Sequence, residues 1–132
     1  ALFAALEGQG ADFTRLFRAL GASLEEGYSA VAAECTDPAA LQEWWNQWQA
    51  RLAREAAPAE QRRAAMDAVN PLYIPRNHLT DAALKAAEGG DFAPFSELLD
   101  VVTQPFVRRA GLERFEHGAP AGTPPHVTYC GT

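Results

Sequence analysis

Leu41, Trp44, Trp45, Trp48 and Leu52 follow the dipeptide Asp37-Pro38 at intervals that bring them to one side only in an α-helix. Asp suits the N-cap, and Pro suits the first helical position, where no amide donor is needed. The spacing predicts a helix from Pro38 to Leu52 that buries an aromatic stripe.

The same period recurs along the chain. Asp12 precedes Phe13, Leu16, Phe17 and Leu20, a helix that Gly21 is expected to end. Ser23-Leu24-Glu25-Glu26 reads as a capping box for a further helix through Leu24, Tyr28 and Val31 toward Cys35. Pro58 opens a short helix with Met66 and Val69 inward and Gln61, Arg62 and Arg63 solvated. Asn70-Pro71 stops it, because the residue before proline avoids helical angles. Residues 70–79 hold two prolines and no period, and read as a loop. Thr80 or Asp81 caps the next helix, which carries Leu84 and Ala87 and ends at Gly89-Gly90. Asp91 caps another, with Phe95, Leu98, Leu99 and Val102 inward and Pro105 at its end.

Composition agrees. Alanine supplies 27 residues, isoleucine and valine together only 7, and alanine propagates helices where β-branched residues favour strands. The expected fold is all-α, five or six helices packed as an irregular bundle over residues 1–109. Residues 110–132, rich in Gly and Pro, form an extended, partly mobile C-terminal arm. Ala1 is not Met, and Leu2 to Leu6 read as the end of a helix that begins earlier, as in a fragment.

Charge narrows the function. The net charge is −6, with Lys85 the single lysine beside ten arginines. This lacks the basic footprint of a nucleic-acid binder and the polybasic segment that holds a protein on an anionic membrane. No apolar run approaches the roughly 20 residues that span a bilayer, and no secretory signal is visible. Two cysteines, Cys35 and Cys130, are too few for a disulfide scaffold, so a reducing, cytoplasmic setting is expected.

Several constellations carry little chemistry. The Trp44/Trp45/Trp48 stripe would stack a base or a sugar, but at helical spacing it reads first as a core face, with Trp48 and Leu41 buried. Cys35, His78, His117, His126 and Cys130 are zinc-ligand types without paired spacing, so no metal site is expected. Gly8-Gln9-Gly10 lacks the third glycine of a phosphate loop, Phe13 standing in its place. Asp91-Phe92-Ala93 has Ala where a kinase metal-binding triplet has Gly. Glu25-Glu26 is explained by capping. By its residues alone the chain reads as an acidic helical domain with an extended arm.

The stretch Asn70-Pro71-Leu72-Tyr73-Ile74-Pro75-Arg76-Asn77 adds more, because it resembles the N-P-x-Y-x-x-R-N motif of the selenoprotein O family. Arg62 to Val69 resembles the family's R-R-x-x-M-N-x-V run, and Ala82 to Glu88 with Gly90-Asp91-Phe92 resembles its A-x-x-A-A-E-x-G-D-F segment. Leu98-Leu99, Pro105-Phe106, Pro124-Pro125 and the terminal Cys130-Gly131-Thr132 follow in the family's order. The chain departs from it in ending Gly-Thr rather than Ser-Ser and in lacking a Trp after Pro124-Pro125. The likeness is specific from about residue 60 and looser from Asp12 to Leu52.

The resemblance implies the C-terminal region of a longer bacterial enzyme. Family members resemble protein kinases but transfer AMP from ATP, with magnesium, to Ser, Thr or Tyr hydroxyls of protein substrates. Their nucleotide-binding loop, lysine and metal ligands lie in an upstream kinase-like domain, and none of those motifs stands here. No catalytic, cofactor or metal residue therefore transfers, and this chain alone is expected to be inactive. The upstream domain is the implied partner, and its loss would favour self-association of the fragment. The resemblance further implies that Cys130, at a position some members fill with selenocysteine, is redox-active and bridges to a cysteine of the kinase-like domain. In this chain Cys130 is expected free, and Cys35 unpaired and buried. Arg76 and Asn77 either meet a phosphate, an acidic group or the kinase-like domain, or satisfy loop carbonyls and hold the arm. The structural role is favoured for them and for Asn70 and Pro71. The alternative function is a freestanding helical module whose Trp stripe binds a partner helix.

Overall fold

The computed structural model describes residues 2–127. Among them are seven α-helices and no strand, so the all-α expectation holds: α1 (Leu2–Ala5), α2 (Phe13–Glu26), α3 (Tyr28–Ala32), α4 (Ala39–Leu52), α5 (Ala59–Asp67), α6 (Asn77–Glu88) and α7 (Ala93–Thr103). The number exceeds the expected five or six because α1 and α3 are one-turn helices. The chain divides into two compact units, Ala1–Pro71 and Leu72–Thr132.

The first unit packs α1 to α5 around Leu6, Leu16, Leu20, Val31, Leu41 and Trp45, with Phe17, Tyr28, Trp44, Trp48 and Met66 at the edge. Asp12 caps α2 as its residue type suggests, its carboxylate accepting from the Arg15 amide at 3.2 Å. Asp37 serves α4 in the same way, accepting from the Ala39 amide at 3.0 Å. Two expectations for α2 fail together. Gly21 does not end it, and Ser23 does not open another helix: α2 runs on to Glu26, and the Ser23 hydroxyl bonds back to the Leu20 carbonyl at 2.6 Å. Gly21 instead faces α5, where a Cβ would meet the Asp67 carboxylate at 3.1 Å. The glycine answers a close helix crossing rather than a stop. The break comes at Gly27, whose φ of 79° is left-handed.

Trp45 is the buried member of the aromatic stripe. Trp48, expected in the core, is half-buried, its ring stacked on that of Trp44 at 5.6 Å and edge-on to Trp45 at 5.2 Å. Trp44 and Trp48 share a helix face one turn apart, while Trp45 points a further 100° round, into the core. The α5 arginines are not simply solvated. Arg62 donates to the Leu52 carbonyl at 2.8 Å, closing the end of α4, and Arg63 pairs with Glu25. Val69, expected inward, is exposed because α5 ends before it at Asp67.

The second unit is a pair of helices, α6 and α7, whose core is Leu72, Tyr73, Ala83, Leu98, Val101 and Phe115. Phe115 lies on a single 3-10 turn, Glu113–Phe115, within the stretch beyond Ala110 that carries no helical period. Helix α6 starts at Asn77, not at Thr80 or Asp81, because Pro75 and the extended Arg76 (φ −67°, ψ 137°) lead directly into it. Leu84 is exposed and Ala83 takes the buried position; on α7, Phe95 and Leu99 are exposed while Leu98 and Val101 are buried. Asp91 caps α7, accepting from the Ala93 amide at 3.0 Å.

Candidate functional site

The prolines of 71–75 straighten the chain on its way into α6. Leu72 and Tyr73 both donate their amides to the Pro105 carbonyl, at 2.7 and 3.4 Å, pinning this strand of loop to the end of α7. The Tyr73 ring fills the core, and its Oη accepts a 3.0 Å hydrogen bond from the Arg109 amide. With the loop fixed, Arg76 stands at the start of α6, where its Nη2 donates to the Glu116 carbonyl at 2.8 Å. That bond ties the start of α6 to the beginning of the arm. One helical turn further on, the Asp81 carboxylate meets the His126 Nδ1 at 2.9 Å.

Between these two ties runs an open groove of about 1080 Å³. Ile74, Pro75, Arg76, Asn77, His78 and Asp81 form one wall, and the arm from Gly118 through Pro124, Pro125 and Val127 forms the other. The groove thus gathers Arg76 and Asn77 with the Pro-Pro pair, which lies about 50 positions away in sequence. Asn70 and Pro71 are not brought to it. Asn70 closes α5 in the first unit: its Nδ2 donates to the Met66 carbonyl at 2.9 Å, and its own carbonyl accepts from Arg18 at 3.0 Å. Cys130 lies outside the described residues.

Sequence reasoning missed two parts of this site. The Asp81–His126 pair escaped it because Asp81 looked like a cap and His126 like a stray metal ligand; a contact across 45 positions leaves no local signal. The motif string 70–77 contains Tyr73 but gives no sign that it is the anchor. The available signal is a lone tyrosine between two prolines, since a tyrosine that such a rigid stretch buries needs a partner for its hydroxyl.

The remaining candidates resolve into structure. Among the described residues no group of three or more His, Cys, Asp or Glu side chains could hold a metal ion. The Gly8-Gln9-Gly10 segment is a clip: the buried Gln9 side chain accepts from the Asp37 amide at 2.8 Å, and its carbonyl accepts from the Thr36 hydroxyl at 2.7 Å. Cys35 is a free thiol, half-buried rather than buried. Burial raises its pKa above the ordinary thiol range, and the neighbouring Glu34 carboxylate adds to this. No helix of the described residues is long and apolar enough to cross a membrane.

No protein-family model matches the chain. Individual proteins do. The protein nucleotidyltransferase YdiU of Sphingopyxis alaskensis is 50% identical over 131 residues, 99% of this chain and 27% of its own length. The chain resembles a C-terminal region of YdiU proteins, the selenoprotein O family. The YdiU of Mycobacterium sp. (strain KMS) is 45% identical over 92% of the chain and 24% of its own length. That of Rhodococcus jostii is 42% identical over 99% of the chain and 26% of its own length. The chain therefore spans about a quarter of the length of these curated YdiU relatives.

Proposed function

We propose that this chain is the non-catalytic C-terminal helical region of a selenoprotein O-like protein adenylyltransferase, and that its task is to hold and aim the arm that carries Cys130. The parent enzyme would move AMP from ATP, with magnesium, to protein hydroxyls through its upstream kinase-like domain in the cytoplasm. The observation that carries this reading is the double tie of the arm, Arg76 to the Glu116 carbonyl and Asp81 to His126, on either side of the groove. Both ties join family-motif residues, or the turn beside them, to the segment leading to the terminal cysteine. Arg76, Asn77, Asn70 and Pro71 then act as positioning residues and none touches a reacting atom. Cys130 would form a disulfide with a cysteine of the kinase-like domain by exchange with an external disulfide. Each of the two thiols loses one proton and one electron as the sulfur–sulfur bond forms, and the external disulfide takes up both electrons and both protons and leaves as two thiols.

Phosphoryl and nucleotidyl transfer need the triphosphate charge neutralised by cationic groups and carboxylate-held magnesium, and among the described residues no group of three or more His, Cys, Asp or Glu side chains could hold a metal ion. Calorimetric titration of this chain with ATP and magnesium should be flat, and a micromolar dissociation constant would overturn the non-catalytic assignment. In the complete enzyme, Cys130→Ser should remove the redox dependence of AMP transfer and leave the reduced-state rate intact. Survival of that dependence would refute the redox role.

A further inference from the structure

Helix α7 is apolar on more sides than its unit uses. Leu98 and Val101 are buried and Val102 packs beside them. Yet Phe92, Phe95 and Leu99 are 62%, 43% and 50% exposed. Their spacing of three and then four places them in one stripe, well round the helix from Val101. Phe92 precedes the first turn with helical dihedrals (φ −90°, ψ −1°), so it extends the stripe rather than leaving it. Single exposed apolar side chains are ordinary, whereas a contiguous aromatic and leucine stripe on one helix marks a contact surface.

The two carboxylates of α7 lie round the helix from the stripe, and both are paired. Glu97 pairs with Arg114 at 2.5 Å and Asp100 with Arg109 at 2.7 Å. The acidic side of α7 is therefore neutralised by arginines, and the stripe itself carries no charge. An apolar occupant fits such a face better than a charged peptide or a nucleic acid.

We infer that the Phe92–Phe95–Leu99 stripe is the face on which this region docks onto the rest of its own polypeptide. The relatives supply the reason for that occupant: this chain matches 24 to 27% of their length, so about three quarters of such a protein lies outside it. The inference rests on the reading that this region belongs to a longer adenylyltransferase. It adds which surface carries the attachment.

A photoreactive p-benzoylphenylalanine replacing Phe95 in the complete protein tests it, with a second variant carrying the group at Leu99 in case the first folds poorly. Irradiation should yield an adduct at monomer mass whose cross-linked peptide maps outside these 132 residues. A cross-link within these residues, a dimer-mass product between isotopically distinct copies, or no cross-link at either position would each overturn the docking face. AMP transfer assayed on the same preparations separates the two ideas. Activity without the expected cross-link sinks the docking face alone, whereas an inactive unsubstituted complete protein sinks the functional reading on which it stands.

Discussion

The Oη of Tyr73 and the backbone amide of Arg109 meet at 3.0 Å across 36 positions of sequence. Tyr73 enters the second unit just after Asn70-Pro71, and Arg109 follows the end of α7. The bond closes the loop between them around a ring that is only 1% exposed, so the phenol is both core filler and cross-brace.

Tyr73 should therefore tolerate neither truncation nor loss of its hydroxyl. Tyr73→Ala should cost about 3–5 kcal/mol, as for a buried aromatic. Tyr73→Phe should cost about 1–2 kcal/mol, because the Arg109 amide loses its acceptor. Urea unfolding followed by circular dichroism measures both. A Tyr73→Phe curve that overlays the parent would show that the hydroxyl contributes nothing.

The tryptophan stripe makes an ordered prediction. Trp45→Ala should destabilise by about 3–5 kcal/mol, and Trp48→Ala by clearly less, since Trp48 is half-buried and loses mainly its stack on Trp44. Thermal melts of the two variants decide. The reverse order would mean that Trp48, not Trp45, anchors the first core.

Arg18 closes α5 from across the unit. Its Nη1 donates to the carbonyls of Asp67 at 2.9 Å and Asn70 at 3.0 Å, and it lies 3.4 Å from the Asp67 carboxylate. Helix ends leave such carbonyls without intrahelical partners. Arg18→Ala should cost about 1–3 kcal/mol, in the range for charge-assisted bonds. Arg18→Lys should restore only part, because an ammonium is more strongly hydrated than a guanidinium and loses more on leaving water. Full recovery in the lysine variant, measured by denaturant titration, would contradict the role of the guanidinium.

Cys35 predicts a pH effect of definite sign. Burial, with Glu34 beside it, holds the folded thiol protonated above the range where an unfolded cysteine ionises. In that window the unfolded chain binds fewer protons, so stability is full below the ordinary thiol range and falls as pH rises through the folded value. Tyr28, raised chiefly by burial as well, continues the fall at higher pH. Unfolding free energies between about pH 7.5 and pH 10.5 should decline, and Cys35→Ser should make that decline shallower. An identical slope in the variant would remove Cys35 from the effect.

The all-α class was written in the chain itself. Many alanines, few β-branched residues and repeated helical spacing act over one or two turns, and so do the caps at Asp12, Asp37 and Asp91. The family likeness was legible for the same reason: an ordered string such as 70–77 is a property of sequence alone. What required the tertiary structure was every question of which face is covered. Periodicity showed that α4 and α7 have apolar sides, but only the neighbouring helices select Trp45 over Trp48 and Leu98 with Val101 over Phe95 with Leu99. Gly21 looked like a stop until the approach of α5 at Asp67 gave it another reason. The groove and its Asp81–His126 tie arise only when the arm folds back on α6. Local backbone preference is settled by a few adjacent residues, whereas burial depends on partners that arrive from far along the chain.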